Sequence, residues 1–271
     1  MTHSLDRCCV KSTSSVCPLS LVSAVKQAMP FFRGYRQQDA QEFLRFFLDR
    51  LECEETLTVQ TRSVSSLFKG SFRSEVTCLQ CRTKTHKLDP FLDLSLDIPI
   101  FRIPIQHDGK HSQYRIRKLN ILDCLKSFTD LEYLKATELY HCESCQSRQK
   151  CTKKIQLEDL PTLLVLHLKR FRSGAHLARR HRLKLRTIVE FPLENMNVAS
   201  CCSPTYQGST ACDLRGIVCH HGSSVGCGHY STYSIEESTQ QWLHFNDASV
   251  TPVASSVVKK CEPYILVYAK R

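Results

Sequence analysis

Gly226-Cys227-Gly228-His229-Tyr230, followed by Trp242-Leu243-His244-Phe245-Asn246-Asp247, decides how this chain is read. The first stretch sets a histidine on a glycine-hinged turn. The second supplies an amide and then a carboxylate. Tyr230–Ile235 and Trp242–Phe245 predict two strands that pair back as a hairpin, which would bring His229 to Asn246. A thiol attacks an acyl carbon only as thiolate, so it needs a base. The base must be held in one tautomer by an acceptor on its other ring nitrogen, a role asparagine can fill. His229 and Asn246 are therefore the candidate base and orienter of a Cys-His-Asn hydrolase. The nucleophile half is a cysteine that opens a helix after a Gly/Asn-rich turn. Cys8, Cys9 and Cys17 are the upstream thiols, and none has that setting.

The composition is that of a folded protein. The chain has 271 residues, 42% of them hydrophobic, and only 9 glycines. No apolar run approaches the ~18 residues of a membrane span. Met1 to Cys17 is polar and interrupted by Asp6 and Arg7, unlike a secretory signal. The net charge of +11 favours acidic partners such as nucleic acid or chromatin. Its densest part, Lys169 to Arg186, reads first as a solvated loop between strands.

Sixteen cysteines without a signal peptide point to a reducing compartment, the nucleus or cytoplasm. Four of them, Cys78, Cys81, Cys142 and Cys145, form two CxxC pairs. Each pair sets two thiolates on one side of a tight turn, and two pairs make a tetrahedral four-cysteine site for structural Zn2+. Neither pair lies between the strand and helix of a βαβ unit, which argues against thioredoxin-like chemistry. Cys151 and His141 are close enough in sequence to replace one ligand.

Asp39 to Leu51 predicts an amphipathic helix with Ala40, Phe43, Leu44, Phe47, Leu48 and Leu51 on one stripe. Asp39 and Glu42 have capping-box spacing. A weaker helix is expected over Leu19 to Ala28, and a short one over Asn120 to Phe128. Strands are expected over Phe68–Val76, Phe91–Ile98, Leu163–Leu168, Leu214–Cys219 and Tyr264–Tyr268. Arg102 to Arg117 reads as an irregular exposed insertion. The class is α+β, with an N-terminal helical part and a mainly antiparallel C-terminal sheet, and no linker marks a second domain.

Several of these stretches resemble one family. Gly34-Tyr35-Arg36-Gln37-Gln38-Asp39-Ala40-Gln41-Glu42-Phe43-Leu44 is similar to the glutamine/aspartate box of the ubiquitin-specific proteases. Leu166-His167-Leu168-Lys169-Arg170-Phe171 resembles that family's palm strand. Gly228-His229-Tyr230, Phe245-Asn246-Asp247 and Tyr264-Ile265-Leu266-Val267-Tyr268 resemble its histidine box and terminal strand. The text from Asp89 to Pro99 and from Ser127 to Glu132 is most similar to the ubiquitin-specific protease 3 branch. The resemblance implies a papain-like hand: 19–52 a remnant of the thumb, 67–160 fingers with a zinc ribbon, 161–271 the palm. It implies thiol-dependent hydrolysis of isopeptide bonds at the ubiquitin C-terminus, with His229 as base, Asn246 as orienter and Asp247 as an assisting acid. It places Gln38, Asp39, Gly226, Gly228 and Tyr230 around the ubiquitin tail, with 220–228 as a gating loop. The partners it implies are ubiquitin, ubiquitinated proteins and histones or chromatin.

The family's cysteine box has no match before Gln38. The expectation is an N-terminally truncated chain, inactive alone, whose helix at Asp39 lacks its apolar partner and limits solubility. A non-catalytic ubiquitin-binding module is the alternative. A zinc-ribbon nucleic-acid binder ranks last, because the stacking aromatics expected beside the basic run are sparse.

Overall fold

The computed structural model describes residues 18–34, 37–57, 63–99, 102–104, 114–116, 118–135, 137–172, 183–224 and 226–271. Cys8, Cys9 and Cys17, and the middle of the basic run, lie outside the described residues. The chain forms two compact units, Met1–Leu67 and Phe68–Arg271.

The first unit is helical. Helices α1 (Leu19–Ala28) and α2 (Ala40–Leu57) match the apolar stripes, and α2 runs a further turn and a half past the expected end. Asp39 caps α2: its Oδ1 accepts from the Gln41 amide at 2.7 Å and the Glu42 amide at 3.3 Å. Of the expected stripe, Leu48 and Leu51 are buried, while Phe43 is exposed. Phe31 and Phe32 lay their rings on Phe46 and Phe43, at 4.7 and 5.4 Å between centroids.

The second unit is built on strands β1 (Gly70–Cys78), β2 (Lys84–Phe91), β3 (Leu94–Leu96), β4 (Cys151–Asp159), β5 (Leu163–Leu168), β6 (Ala211–Ser224), β7 (Cys227–Glu236), β8 (Gln241–Asn246), β9 (Ser249–Val253) and β10 (Pro263–Lys270). A four-stranded sheet runs β2-β1-β4 and ends on the short strand Glu132–Tyr133. A ten-stranded sheet runs β9-β8-β7-β6-β10-β5-β3, with three short strands off this path. Its pairings along that path are antiparallel except β5 with β3. Helix α3 (Ile121–Thr129) starts on a full capping box, Asn120 with Asp123.

The apolar run Leu163–Leu168 is the buried centre of the large sheet, with Leu164, Val165, Leu166 and Leu168 at most 1% exposed. Burying each such side chain contributes about 2 kcal/mol. The expected strand Phe91–Ile98 divides: β2 ends at Phe91 and β3 covers Leu94–Leu96. Its alternation still holds, because Leu94, Leu96 and Ile98 are buried while Asp97 reaches Lys169 at the surface. The insertion is less irregular than expected. Its described parts, Arg102–Pro104 and Tyr114–Ile116, pair as an antiparallel ladder.

Two members of the basic run are not solvated. Arg170 is fully buried, and its guanidinium donates to the carbonyls of Pro263 (2.6 Å), Leu185 (2.9 Å) and Thr187 (3.0 Å). Glu262 lies 3.4 Å from Arg170 and 3.2 Å from Lys184, whose Nζ donates to the His220 carbonyl. This network ties β6 to the start of β10. Arg170→Met keeps most of the stem's volume but strands three carbonyls and a carboxylate. Urea denaturation should show a loss of about 3 kcal/mol.

Candidate functional site

The antiparallel register of β7 and β8 pairs Thr232 with Phe245, so continuing it sets Ser231 beside Asn246. His229 is the next residue on the same face as Ser231, diagonal to Asn246. The β8–β9 hairpin pairs Asn246 with Ser249 and leaves Asp247-Ala248 as its loop. Asp247 has φ 51°, a left-handed conformation that Asp tolerates better than most residues.

His229 Nε2 lies 2.5 Å from Asn246 Oδ1. The amide oxygen only accepts, so Nε2 carries the proton and Nδ1 keeps the lone pair. Nδ1 is thus the basic nitrogen. Asp247 Oδ2 lies 3.9 Å from the same Nε2, with its side chain 82% exposed. At that distance and exposure its charge is screened, so Asn246 is the group that fixes the ring.

Sequence alone reads His221 as structural or loop, yet it belongs to this face. It pairs with His229 across the β6–β7 ladder, with ring centroids 6.3 Å apart and near-parallel planes. Its Nε2 is 2.7 Å from Ser231 Oγ. Tyr233 and His244 repeat the arrangement on the β7–β8 ladder, stacked at 4.5 Å. Period-two alternation from His229 through Ser231 and Tyr233 was the available signal. The missing step was the hairpin register that brings His221 opposite. Beside His221 is a cavity of about 310 Å³ lined by Cys219, Tyr233, Cys261, Glu262 and Lys184.

The described residues of 220–228 belong to a hairpin, not an open loop, because β6 continues to Ser224 and β7 begins at Cys227. Gly226 has open space around it, as a turn glycine would. Gly228 serves packing: a Cβ there would overlap the His220 ring and meet the His221 carbonyl at 2.8 Å. Tyr230 points to the face opposite His229. There it meets His220 at 4.9 Å and Tyr264 at 5.9 Å, in a cluster that includes Phe171. In the helical unit, Gln38 Nε2 donates to the Phe31 carbonyl at 3.2 Å and Asp39 caps α2.

The sulfurs of Cys78, Cys81, Cys142 and Cys145 all lie within 4.8 Å of one another. Cys78 ends β1 and Cys142 ends the short strand Tyr140–Cys142, and each opens a knuckle. The residue after each second cysteine, Arg82 and Gln146, has positive φ and turns the chain out. A hydrogen bond with Thr83 draws the Cys81 thiol down to about 6. A hydrogen bond with Cys81 pushes Cys145 up to about 12. The quartet could hold a metal ion. Cys151 packs against the cluster without joining the quartet, and His141 is exposed on the strand leading into it.

A profile described as "Ubiquitin carboxyl-terminal hydrolase" matches residues 1–268. The chain belongs to the ubiquitin carboxyl-terminal hydrolase family. Within that family it is 41% identical to "Ubiquitin carboxyl-terminal hydrolase 3" of Mus musculus over 290 residues, covering 96% of this chain and 54% of the relative. It is 34% identical to "Ubiquitin carboxyl-terminal hydrolase 2" of Gallus gallus, covering 94% of this chain and 74% of that protein. The fold matches the structure titled "SAGA Ubp8/Sgf11/Sus1/Sgf73 DUB module bound to ubiquitin aldehyde". The TM-score is 0.76 at 31% identity, over 93% of this chain and 53% of that one. The chain therefore spans about half the length of several of the relatives it matches, and its α+β fold is that of the family.

Gly228→Ala should test the packing role. The added methyl must displace the His220 ring, and overpacking of this kind costs about 2 kcal/mol. A lower midpoint in thermal denaturation, with perturbed Tyr230 and Tyr264 ring resonances, is the expected outcome.

Proposed function

We propose that this chain carries the base half of a cysteine-type deubiquitinase, which hydrolyses isopeptide bonds at the ubiquitin C-terminus. The observation that supports this reading is the 2.5 Å contact of His229 Nε2 with Asn246 Oδ1, which leaves Nδ1 free to accept. Nδ1 takes the proton of a thiol, and the thiolate attacks the carbonyl carbon of ubiquitin's last glycine. The imidazolium returns that proton to the departing lysine amine. Water then enters with Nδ1 as base and frees ubiquitin from the thioester. Asp247 is the assisting acid that the resemblance implies, and its screened charge adds little beside Asn246. We assign Gln38 and Asp39 of the helical unit, and separately Gly226, Gly228 and Tyr230 of the sheet unit, to contacts with the ubiquitin tail, as the resemblance implies.

Among the described residues no cysteine is hydrogen-bonded to His229. We take the 271 residues alone to bind ubiquitin without turning it over. The solved relative "bound to monoubiquitin" supports the binding half of this reading. We assign 19–52 to a thumb, 67–160 to fingers and 161–271 to a palm. The boundary between compact units at Leu67 is consistent with that division. Ubiquitinated histones are the proposed substrates, on the grounds of the +11 charge and the branch resembled.

We assign Zn2+ to the cysteine quartet. Tetrahedral zinc with Zn–S bonds near 2.3 Å sets sulfurs about 3.8 Å apart. The observed pairs, Cys81–Cys142 at 3.5 Å and Cys78–Cys145 at 4.0 Å, bracket that value. Four protein ligands leave no open position, so the metal staples the two knuckles.

Two measurements test this. Calorimetric titration with ubiquitin should show saturable heat, while a fluorogenic ubiquitin substrate and a ubiquitin probe should show no turnover or labelling. His229-dependent labelling would overturn the inactivity, and no binding at high ubiquitin concentration would overturn the function. Supplied with a thiol-bearing N-terminal segment from the mouse relative, the chain should gain turnover that Asn246→Ala cuts by about 10²-fold or more. A chelator should lower the melting temperature of the wild-type protein and leave Cys142→Ser unaffected.

A further inference from the structure

We propose that His221 is a positioning residue for His229. Its ring, locked by Ser231, walls one side of the His229 imidazole and keeps that ring where Nε2 meets Asn246. The inference rests on His229 being the base, and it adds a residue to the machinery of that site.

Three observations carry it. First, the ladder sets the two residues directly opposite, where Cβ atoms stand about 5 Å apart. The two rings lie 6.3 Å apart between centroids, with their planes 28° from parallel. That falls within the range of interacting ring pairs. Second, the wall is itself fixed. His221 Nε2 is 2.7 Å from the hydroxyl of Ser231, and Ser231 is 3% exposed. Third, the opposite edge of the His229 ring is set by Asn246, so the imidazole is held on an edge and on a face. Neither contact alone stops the ring from turning about its χ2 bond.

The charges around His221 suit this task. Desolvation holds its pKa below the usual histidine range, with His229, Lys184 and His244 pushing the same way and Glu262 opposing. His221 therefore stays neutral while its neighbour takes up a proton. A neutral ring face beside an imidazolium is attractive, whereas a second cation there would lower the basicity of His229. Because His221 is exposed, its loss opens no core cavity, which separates positioning from a purely structural role.

The test is 15N NMR of histidine-labelled protein, which reads the tautomer of His229 without any turnover. In the neutral wild-type ring the proton should sit almost wholly on Nε2. His221→Ala should cut that preference at least about threefold, toward the mixture of free imidazole. His221→Phe keeps the wall and should restore most of it. Ser231→Ala leaves the wall in place but unlocked, and should move the ratio the same way by less. If His221→Ala fails to fold, Ser231→Ala still decides. An unchanged tautomer ratio in every folded variant overturns the proposal, and so does rescue by Gln with none by Phe. A failed ubiquitin-binding experiment would instead count against the function, because the tautomer is measured in the free protein.

Discussion

The register between β7 and β8 governs the candidate site. Thr232 opposite Phe245 puts Ser231 beside Asn246, and His229 follows on that face. A slip of one residue would turn Asn246 to the other face of the sheet, among Tyr230, His220 and Tyr264. The register is held on the face that carries Asn246: Trp242 is buried against the core, and Tyr233 stacks on His244. Hydrophobic burial and ring stacking thereby set the position of a polar pair that could not set itself. A single exposed hydrogen bond contributes about 1 kcal/mol, too little to choose the pairing of two strands.

The hairpin that carries His229 is anchored from below. Arg170 has no exposed surface and donates to three backbone carbonyls. Lys184 caps a fourth, that of His220, and Glu262 balances both cations. The cationic groups thus act as backbone donors first and as charges second. Gly228 completes the fit by leaving room for the His220 ring under the strand.

Much of this was legible in the chain. Helix starts with a side-chain cap were read closely, as at Asp39 and Asn120, because the cap and the apolar stripe both depend on nearby residues. The His229–Asn246 pair and the cysteine quartet were legible because both follow from spacing on tight turns. Strand β4 escaped notice. Its polar alternation, Thr152 to Asp159, is that of a sheet with one wet face, and only its pairing with β1 reveals it. The burial of Arg170 and the placement of His221 opposite His229 were hidden for the same reason. Each depends on distant partners or on exact register, and local pattern carries neither.

The large sheet ends at β9, four of whose five residues are exposed and whose outer edge is unpaired among the described residues. An open edge of that kind is a template for another chain's strand. Pro252 sits inside β9 and removes one donor from it. With so few residues and one donor gone, an incoming strand finds too few hydrogen bonds to hold. The edge nearest the candidate base is thereby guarded against self-association by a single imino acid.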